Sequence, residues 1–343
     1  MTTFPREKLF DFAVRLLKAK GVPDGNARAI AEIVVKTEAF GVKTHGLTFL
    51  SYADGMIPGE LDPRAEPVVV RRKGASVLID GNNGFSQLAM RRAQEFAMKK
   101  AARHGIAMAA VRNCFWLGAL GPYLIEPARR GFFAQLVAQT STCKDAAPFG
   151  GIDARFSTNP VALAFPTDAD PVISDFSTAM MSMGAVNRMI RRGEKTDEPA
   201  FMDKNGTLGT DPGVVRDGGS ILFLGGPRYG YRGYSLSLWI EAMTALAGGD
   251  CNNPQAKTRQ TFTLTVIDPN AFAGADTYRR EIARFLAHLK TSRVHPAHGR
   301  IRVPGESGFR HLRESEMAGI PVDPALVETL NKAAEKNGVE RLG

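Results

Sequence analysis

The chain has 343 residues, 44% hydrophobic and 23% charged, with 44 Lys and Arg against 35 Asp and Glu for a net charge of +9. That composition excludes a disordered polymer and a disulfide-stapled mini-domain, and the length predicts about two domains. Cys114, Cys143 and Cys251 form no CxxC pair, and the short basic runs at 71–73, 99–100 and 191–192 are far apart and free of interleaved aromatics. A zinc module and a nucleic-acid binder are therefore set aside. No apolar run approaches about 18 residues and no apolar signal core follows Met1, so a cytoplasmic protein with reduced thiols and no membrane span is expected.

Leu9, Phe10, Phe12, Ala13, Leu16 and Leu17 recur at helical spacing until Gly21 and Pro23 close the segment. A second helix carries Ala27, Ile30, Ala31, Val34 and Val35 and reaches Gly41. Lys43-Thr44-His45-Gly46 is then a polar connection ahead of another apolar stretch at 47–50. Strands are predicted at 68–70 and 77–79, followed by a turn at 80–84 and a long helix over 87–104. Further strands are predicted at 106–111, 132–137, 161–165, 172–174, 221–224 and 262–267. Helices are predicted at 186–192, 233–247, 278–289, 309–318 and 324–336.

This irregular alternation predicts an α+β fold with a mixed or antiparallel sheet. Both helical chain ends are expected to form one discontinuous domain. Residues 1–74 would be its first part, 75–300 the sheet domain, and 301–343 the C-terminal helices packing back on the first part. A Rossmann fold would require GxGxxG between a strand and a helix. Gly118-Ala119-Leu120-Gly121 lacks the third glycine, and Gly225-Gly226-Pro227 runs into aromatics and Arg232. The fold is thus expected to be non-Rossmann, and the residues by themselves name no cofactor.

Five short motifs stand in register over nearly the whole chain: Thr44-His45-Gly46, Pro148–Gly151 within Ala147-Pro148-Phe149-Gly150-Gly151, Ser157-Thr158-Asn159-Pro160, Asp175-Phe176-Ser177-Thr178, and Arg232-Gly233-Tyr234-Ser235. With them the chain resembles the malate/L-lactate dehydrogenase family, which includes ureidoglycolate dehydrogenase, 2,3-diketo-L-gulonate reductase and reductases of cyclic imino acids. The stretches 184–188 and 211–214 are most similar to the 2,3-diketo-L-gulonate reductases of that family. The resemblance implies a homodimer that moves a hydride between NAD or NADP, the choice being open, and a small anionic 2-oxo acid. A cyclic imino acid is the alternative substrate, and a dinucleotide-binding member with little activity the alternative to an enzyme.

By the same resemblance His45 is the proton donor. An imidazole suits that task because it titrates near neutrality; the plain alternative is a surface or capping histidine. Asp175, Phe176, Ser177, Thr178, Ala179, Met180 and Met181 would line the cofactor together with Tyr231, Arg232, Pro304, Gly305 and Glu306. Asp175 could equally cap a following helix, leaving amide N–H groups for a phosphate. Arg232 occupies a position where the family has lysine, and a guanidinium can grip phosphate through two bonds. Arg188, Arg191 and Arg192 could hold a 2′-phosphate or form a solvated face. His104, His288, His295, His298 and His311 lack a comparable setting, and no metal site is expected because His295 and His298 have no third ligand nearby. Two positions depart from the family pattern: Trp116 stands where a second histidine is usual, and Phe49 where an arginine is usual. Phe49, Phe115 and Trp116 are therefore expected to make the substrate pocket more apolar.

Overall fold

The computed structural model describes residues 2–251, 253, 255 and 259–343, with 56–60 described by backbone alone. Its elements run β1 (Thr2–Phe4), α1 (Arg6–Ala19), α2 (Asp24–Ala39), α3 (Thr48–Glu60), β2 (Val68–Lys73), β3 (Ser76–Asp80), α4 (Ser86–His104), β4 (Ile106–Cys114), α5 (Gly121–Arg129) and β5 (Phe133–Thr140). They continue with β6 (Pro160–Phe165), β7 (Val172–Ser177), α6 (Met183–Arg192), β8 (Phe201–Met202), β9 (Leu208–Gly209), β10 (Ser220–Ile221), α7 (Gly226–Tyr229), α8 (Tyr231–Ala245), β11 (Gln260–Ile267), α9 (Ala275–Lys290), α10 (Glu306–Ala318), β12 (Ile320–Val322) and α11 (Pro324–Lys336).

Seven strands form one mixed sheet in the order β2-β3-β4-β11-β5-β6-β7. Only β3 and β4 pair in parallel, with α4 as their crossover; the other neighbours are antiparallel. A doubly wound parallel sheet is thereby ruled out, in agreement with the missing glycine fingerprint. Alternation along the strands sorts the two faces. Val77 and Ile79, Ala107, Ala109 and Val111, Phe262, Leu264 and Val266, and Ala134, Leu136 and Ala138 all point to one side. There they meet Ala89, Ala93, Ala97 and Ala101 of α4, whose four-residue spacing gives that helix a small flat face able to lie close on the sheet. Leu124, Ile125 and Ala128 of α5 extend the same layer. The opposite face is covered more thinly, by Ile240 of α8 over Val137 and Val161.

A second core joins both ends of the chain. Leu9, Phe12, Leu16, Ile30, Val34, Leu47 and Phe49 pack with Ile320, Val322, Val327, Leu330 and Ala334, and β1 pairs antiparallel with β12. A third cluster, built on Ala146, Phe156, Ala179, Val186, Phe201 and Phe223, supports the small sheet of β8, β9 and β10 and one side of α6. The extended segment predicted at 221–224 is a strand only at 220–221, because Gly225 and Gly226 turn the chain into α7. Helix α5 was not among the elements predicted from the sequence; Pro122 occupies the helix start, where no N–H is needed, and Pro127 lies inside the helix.

Candidate active site

His45 sits in the link between α2 and α3, and that link is held from below. The Glu38 carboxylate, only 1% exposed, takes an ion pair from Lys43 at 3.1 Å and a hydrogen bond from the Leu47 backbone N–H at 2.9 Å. Lys43 Nζ also donates to the Pro321 carbonyl at 2.8 Å, tying the link to the strand at the other end of the chain. Gly46 lies so close to this anchor that a β-carbon there would stand 2.8 Å from both Glu38 Cα and N. A glycine after the histidine is therefore a packing requirement. The Thr44 hydroxyl lies 2.7 Å from His45 Nδ1. The hydroxyl can donate or accept, so it serves either neutral tautomer and leaves Nε2 for other work. The Trp116 ring covers one side of the imidazole, with centroids 5.1 Å apart. This crowding pushes the His45 pKa down to about 4 by burial, although part of the residue still meets solvent.

A cleft of about 300 Å3 opens beside the imidazole. The ends of β4 and β5 contribute Phe115, Trp116, Thr140, Cys143 and Asp145, and α6 contributes its N-terminal turn, Met183, Gly184 and Asn187. A β-carbon at Gly184 would come within 3.0 Å of Thr44 Cβ and 3.5 Å of His45 Cε1, so the start of α6 is pressed against the Thr44–His45 pair. Ser182 caps that helix by accepting from the Ala185 N–H at 3.3 Å. Among the described lining residues Arg259 is the only Lys or Arg and Asp145 the only Asp or Glu. Burial raises Asp145 to about 6 against the opposing pull of the Thr158 backbone N–H, and raises the Cys143 thiol to about 12.

Trp116 lines this cleft as expected, but Phe49 does not. Phe49 is 1% exposed and lies behind the indole, stacked on it at 5.9 Å and packed against Phe85 and Phe115. It belongs to the core joining the chain ends and buttresses Trp116. The apolar wall expected from three aromatics is thus made by Phe115 and Trp116, with Tyr52 at the indole edge.

The other expected site residues gather around β7, an edge strand of the large sheet. Asp175 stays within that strand and opens no helix; its Oδ2 accepts the N–H groups of Leu120 at 3.0 Å and Gly121 at 2.7 Å, capping α5. Dense protein around the carboxyl pushes its pKa up to about 6, while the residue still presents surface to water, which works against that rise. The amides expected to be free for a phosphate are in use: Thr178 N–H donates to Thr158 O, Ala179 N–H to Ser177 Oγ, and Met180 N–H to Leu222 O. Phe176 keeps 40% of its surface exposed, whereas Thr178 and Ala179 are buried and Ser177, Met180 and Met181 half-buried. Pro304 reaches the same strand through Ile173 N–H, which donates to its carbonyl at 3.1 Å, and Gly305 follows directly. Glu306 turns away to pair with Lys290 at 2.8 Å, which holds its carboxyl below the usual range. Leu224 N–H donates to Thr178 O and Gly233 N–H to Leu224 O, bringing the N-terminus of α8 alongside. There Arg232 lies over the Tyr229 and Tyr231 rings at 5.1 and 5.6 Å, all three exposed.

Three segments distant in sequence thus converge on β7, and the start of α6 carries that region to His45. Asp145 and Arg259 escaped the sequence reading because each stands alone in an irregular stretch, with no periodicity or spacing to mark it. Gly184, Asn187 and Thr158 entered only as landmarks.

The Malate/L-lactate dehydrogenase family model matches residues 4–331. The chain belongs to the malate/L-lactate dehydrogenase family. It is 32% identical to malate dehydrogenase from Pyrococcus horikoshii over 348 residues, covering 98% of this chain and 96% of that protein. The solved structure of that malate dehydrogenase superposes with a TM-score of 0.87 over 99% of this chain and 97% of its own. L-sulfolactate dehydrogenase from Methanocaldococcus jannaschii is 29% identical, with 95% of this chain and 94% of that protein covered. A Delta(1)-pyrroline-2-carboxylate/Delta(1)-piperideine-2-carboxylate reductase from Pseudomonas putida is also 29% identical, with 93% of each chain covered. Members of the malate/L-lactate dehydrogenase family are thus named as dehydrogenases and reductases alike, and the chain is an oxidoreductase with their α+β fold.

Proposed function

We propose that the cleft beside His45 interconverts a 2-oxo acid and the corresponding 2-hydroxy acid with NAD(H) or NADP(H). The observation that carries this reading is the close approach of Gly184 to Thr44 and His45, near enough that a β-carbon there would crowd both, which joins the acid–base candidate to the segment that runs on from β7. The residues around that strand fit a dinucleotide. Phe176 and Tyr231 offer flat apolar surface, and Arg232 at the α8 N-terminus offers charge to a phosphate. When bound, the nicotinamide supplies or accepts the hydride. The protein's part is to hold the substrate and manage one proton.

His45 is the group for that proton. Uncharged at neutral pH, its Nε2 accepts the hydroxyl proton of a hydroxy acid during oxidation and returns it during reduction, while the Thr44 hydroxyl steadies Nδ1. Trp116 cannot share this work, because an indole N–H does not exchange a proton at neutral pH. Arg259 is the cleft's counter-charge for the substrate carboxylate, in place of the arginine that Phe49 replaces. A cyclic imino acid is the second reading: a protonated imine arrives already activated and needs less from a second acid. The assembly we propose is a cytoplasmic homodimer.

Titrating NADH and NADPH separately against the purified protein, then following nicotinamide absorbance with a panel of 2-oxo acids and cyclic imines, tests this reading. Binding of one cofactor and turnover of an oxo acid are expected, with His45→Ala retaining binding and losing at least about a hundredfold in kcat. Full turnover in that variant removes His45 from the mechanism.

A further inference from the structure

The two charged side chains in the cleft lead further. Resting on the reading above, we propose that Asp145 is a specificity-determining residue that receives a protonated nitrogen of the substrate and turns away a second carboxylate. The preferred substrate is then a 2-oxo acid with one carboxylate and one cationic nitrogen group.

Asp145 lines the same cleft as His45 and is its only described acidic residue, as Arg259 is its only described Lys or Arg. Among the described residues no lysine or arginine forms an ion pair with the Asp145 carboxyl, whose surroundings act on it through burial and the Thr158 N–H. Its backbone is tied on both sides: the N–H donates to Phe156 O at 2.8 Å and the carbonyl accepts from Ile221 N–H at 2.8 Å. The Thr158 N–H donates to the carboxyl itself and favours its charged form. A crowded carboxylate with no paired cation among the described residues is costly to keep ionised, and a ligand that brings the missing charge offsets that cost. The crowding that raises it to about 6 still leaves it mostly ionised at pH 7. A cleft lined by one arginine and one aspartate matches a ligand that carries both signs. A dicarboxylic oxo acid would bring its second charge against Asp145 or leave it unpaired.

Initial rates with 2-oxo-5-guanidinopentanoate, uncharged 2-oxohexanoate and dianionic 2-oxoglutarate test this, each at saturating cofactor in wild type and Asp145→Asn. The wild type should rank them cationic, neutral, dianionic in kcat/KM. Asp145→Asn should lower kcat/KM for the guanidino acid about 30- to 100-fold and raise it for 2-oxoglutarate about tenfold, so that the ranking collapses. Asp145→Ser, which keeps a polar group without the charge, should behave likewise, and thermal melts of both variants identify any loss of folding. Turnover of all three acids at ratios that neither substitution alters overturns the role of Asp145 while leaving the hydride-transfer reading intact. No turnover of any acid or imine with either cofactor overturns that underlying reading instead.

Discussion

Lys43 holds the Glu38 carboxylate at 3.1 Å beneath the link that carries His45, and Glu38 is almost fully shielded from water. A shielded carboxylate that loses its cation is far more costly than a lost surface ion pair, so Lys43→Met should lower stability by about 3–5 kcal/mol. The sign with pH follows from linkage. Burial already raises the Glu38 pKa, and removing Lys43 raises it further, so the folded variant holds a proton that the unfolded chain has released. The deficit should be smallest in mild acid and grow as pH rises above the ordinary carboxylate range. Urea denaturation at pH 5 and pH 8 measures this; an equal deficit at both pH values contradicts it.

Gly184→Ala places a methyl group 3.0 Å from Thr44 Cβ. Either α6 or the Thr44–His45 pair must shift by a few tenths of an ångström. The fold should tolerate this with less than about 1 kcal/mol of cost, whereas kcat should drop about tenfold, because misplacement of a reacting group is penalised more steeply than packing. A melt and a steady-state assay on the same preparation separate the two effects.

Burial lowers the His45 pKa to about 4, which gives the two reaction directions different pH dependences. Reduction needs the protonated imidazole, so its kcat/KM should fall about tenfold per pH unit from pH 5 to 8; oxidation of the hydroxy acid should be nearly flat over that range. Stability should carry the same signature. The unfolded chain takes up the imidazole proton near 6.5 and the folded protein only near 4, so wild type loses stability as pH falls between those values and His45→Asn loses less.

Arg232 rests on two tyrosine rings at the start of α8 with its guanidinium exposed. Replacing it with alanine should weaken cofactor binding about tenfold through the lost charge-assisted contact and leave kcat at saturation nearly unchanged. Fluorescence titration with NADH and NADPH checks the first part and also shows which cofactor depends on the guanidinium.

Asp175→Ala uncaps α5 by leaving the Leu120 and Gly121 N–H groups without their acceptor. A loss of about 1–2 kcal/mol is expected, with a smaller loss for Asp175→Asn, whose amide oxygen can still accept. Cofactor affinity that falls by far more than stability would place the carboxylate in direct contact with the dinucleotide.

Much of this molecule was legible from periodicity. The helical spacing of Leu9, Phe12, Leu16 and Leu17, and of Ile30, Ala31, Val34 and Val35, marks faces that are indeed buried. The predicted strands at 77–79, 106–111, 161–165 and 262–267 lie within β3, β4, β6 and β11. The parts that were not legible depend on distant partners. Nothing local reveals that Asp175 caps a helix more than fifty residues earlier, or that Phe49 stands behind Trp116 and away from the cleft. Asp145 and Arg259 acquire meaning only when the ends of β5 and β11 come side by side. Motifs in register identified the family because spacing survives where single residues change.

The bond from Lys43 to the Pro321 carbonyl spans 278 residues of chain. During synthesis the imidazole leaves the ribosome far ahead of the strand that ties down its link. A polypeptide cut before Pro321 would therefore carry every described cleft side chain and still lack this tie beneath His45.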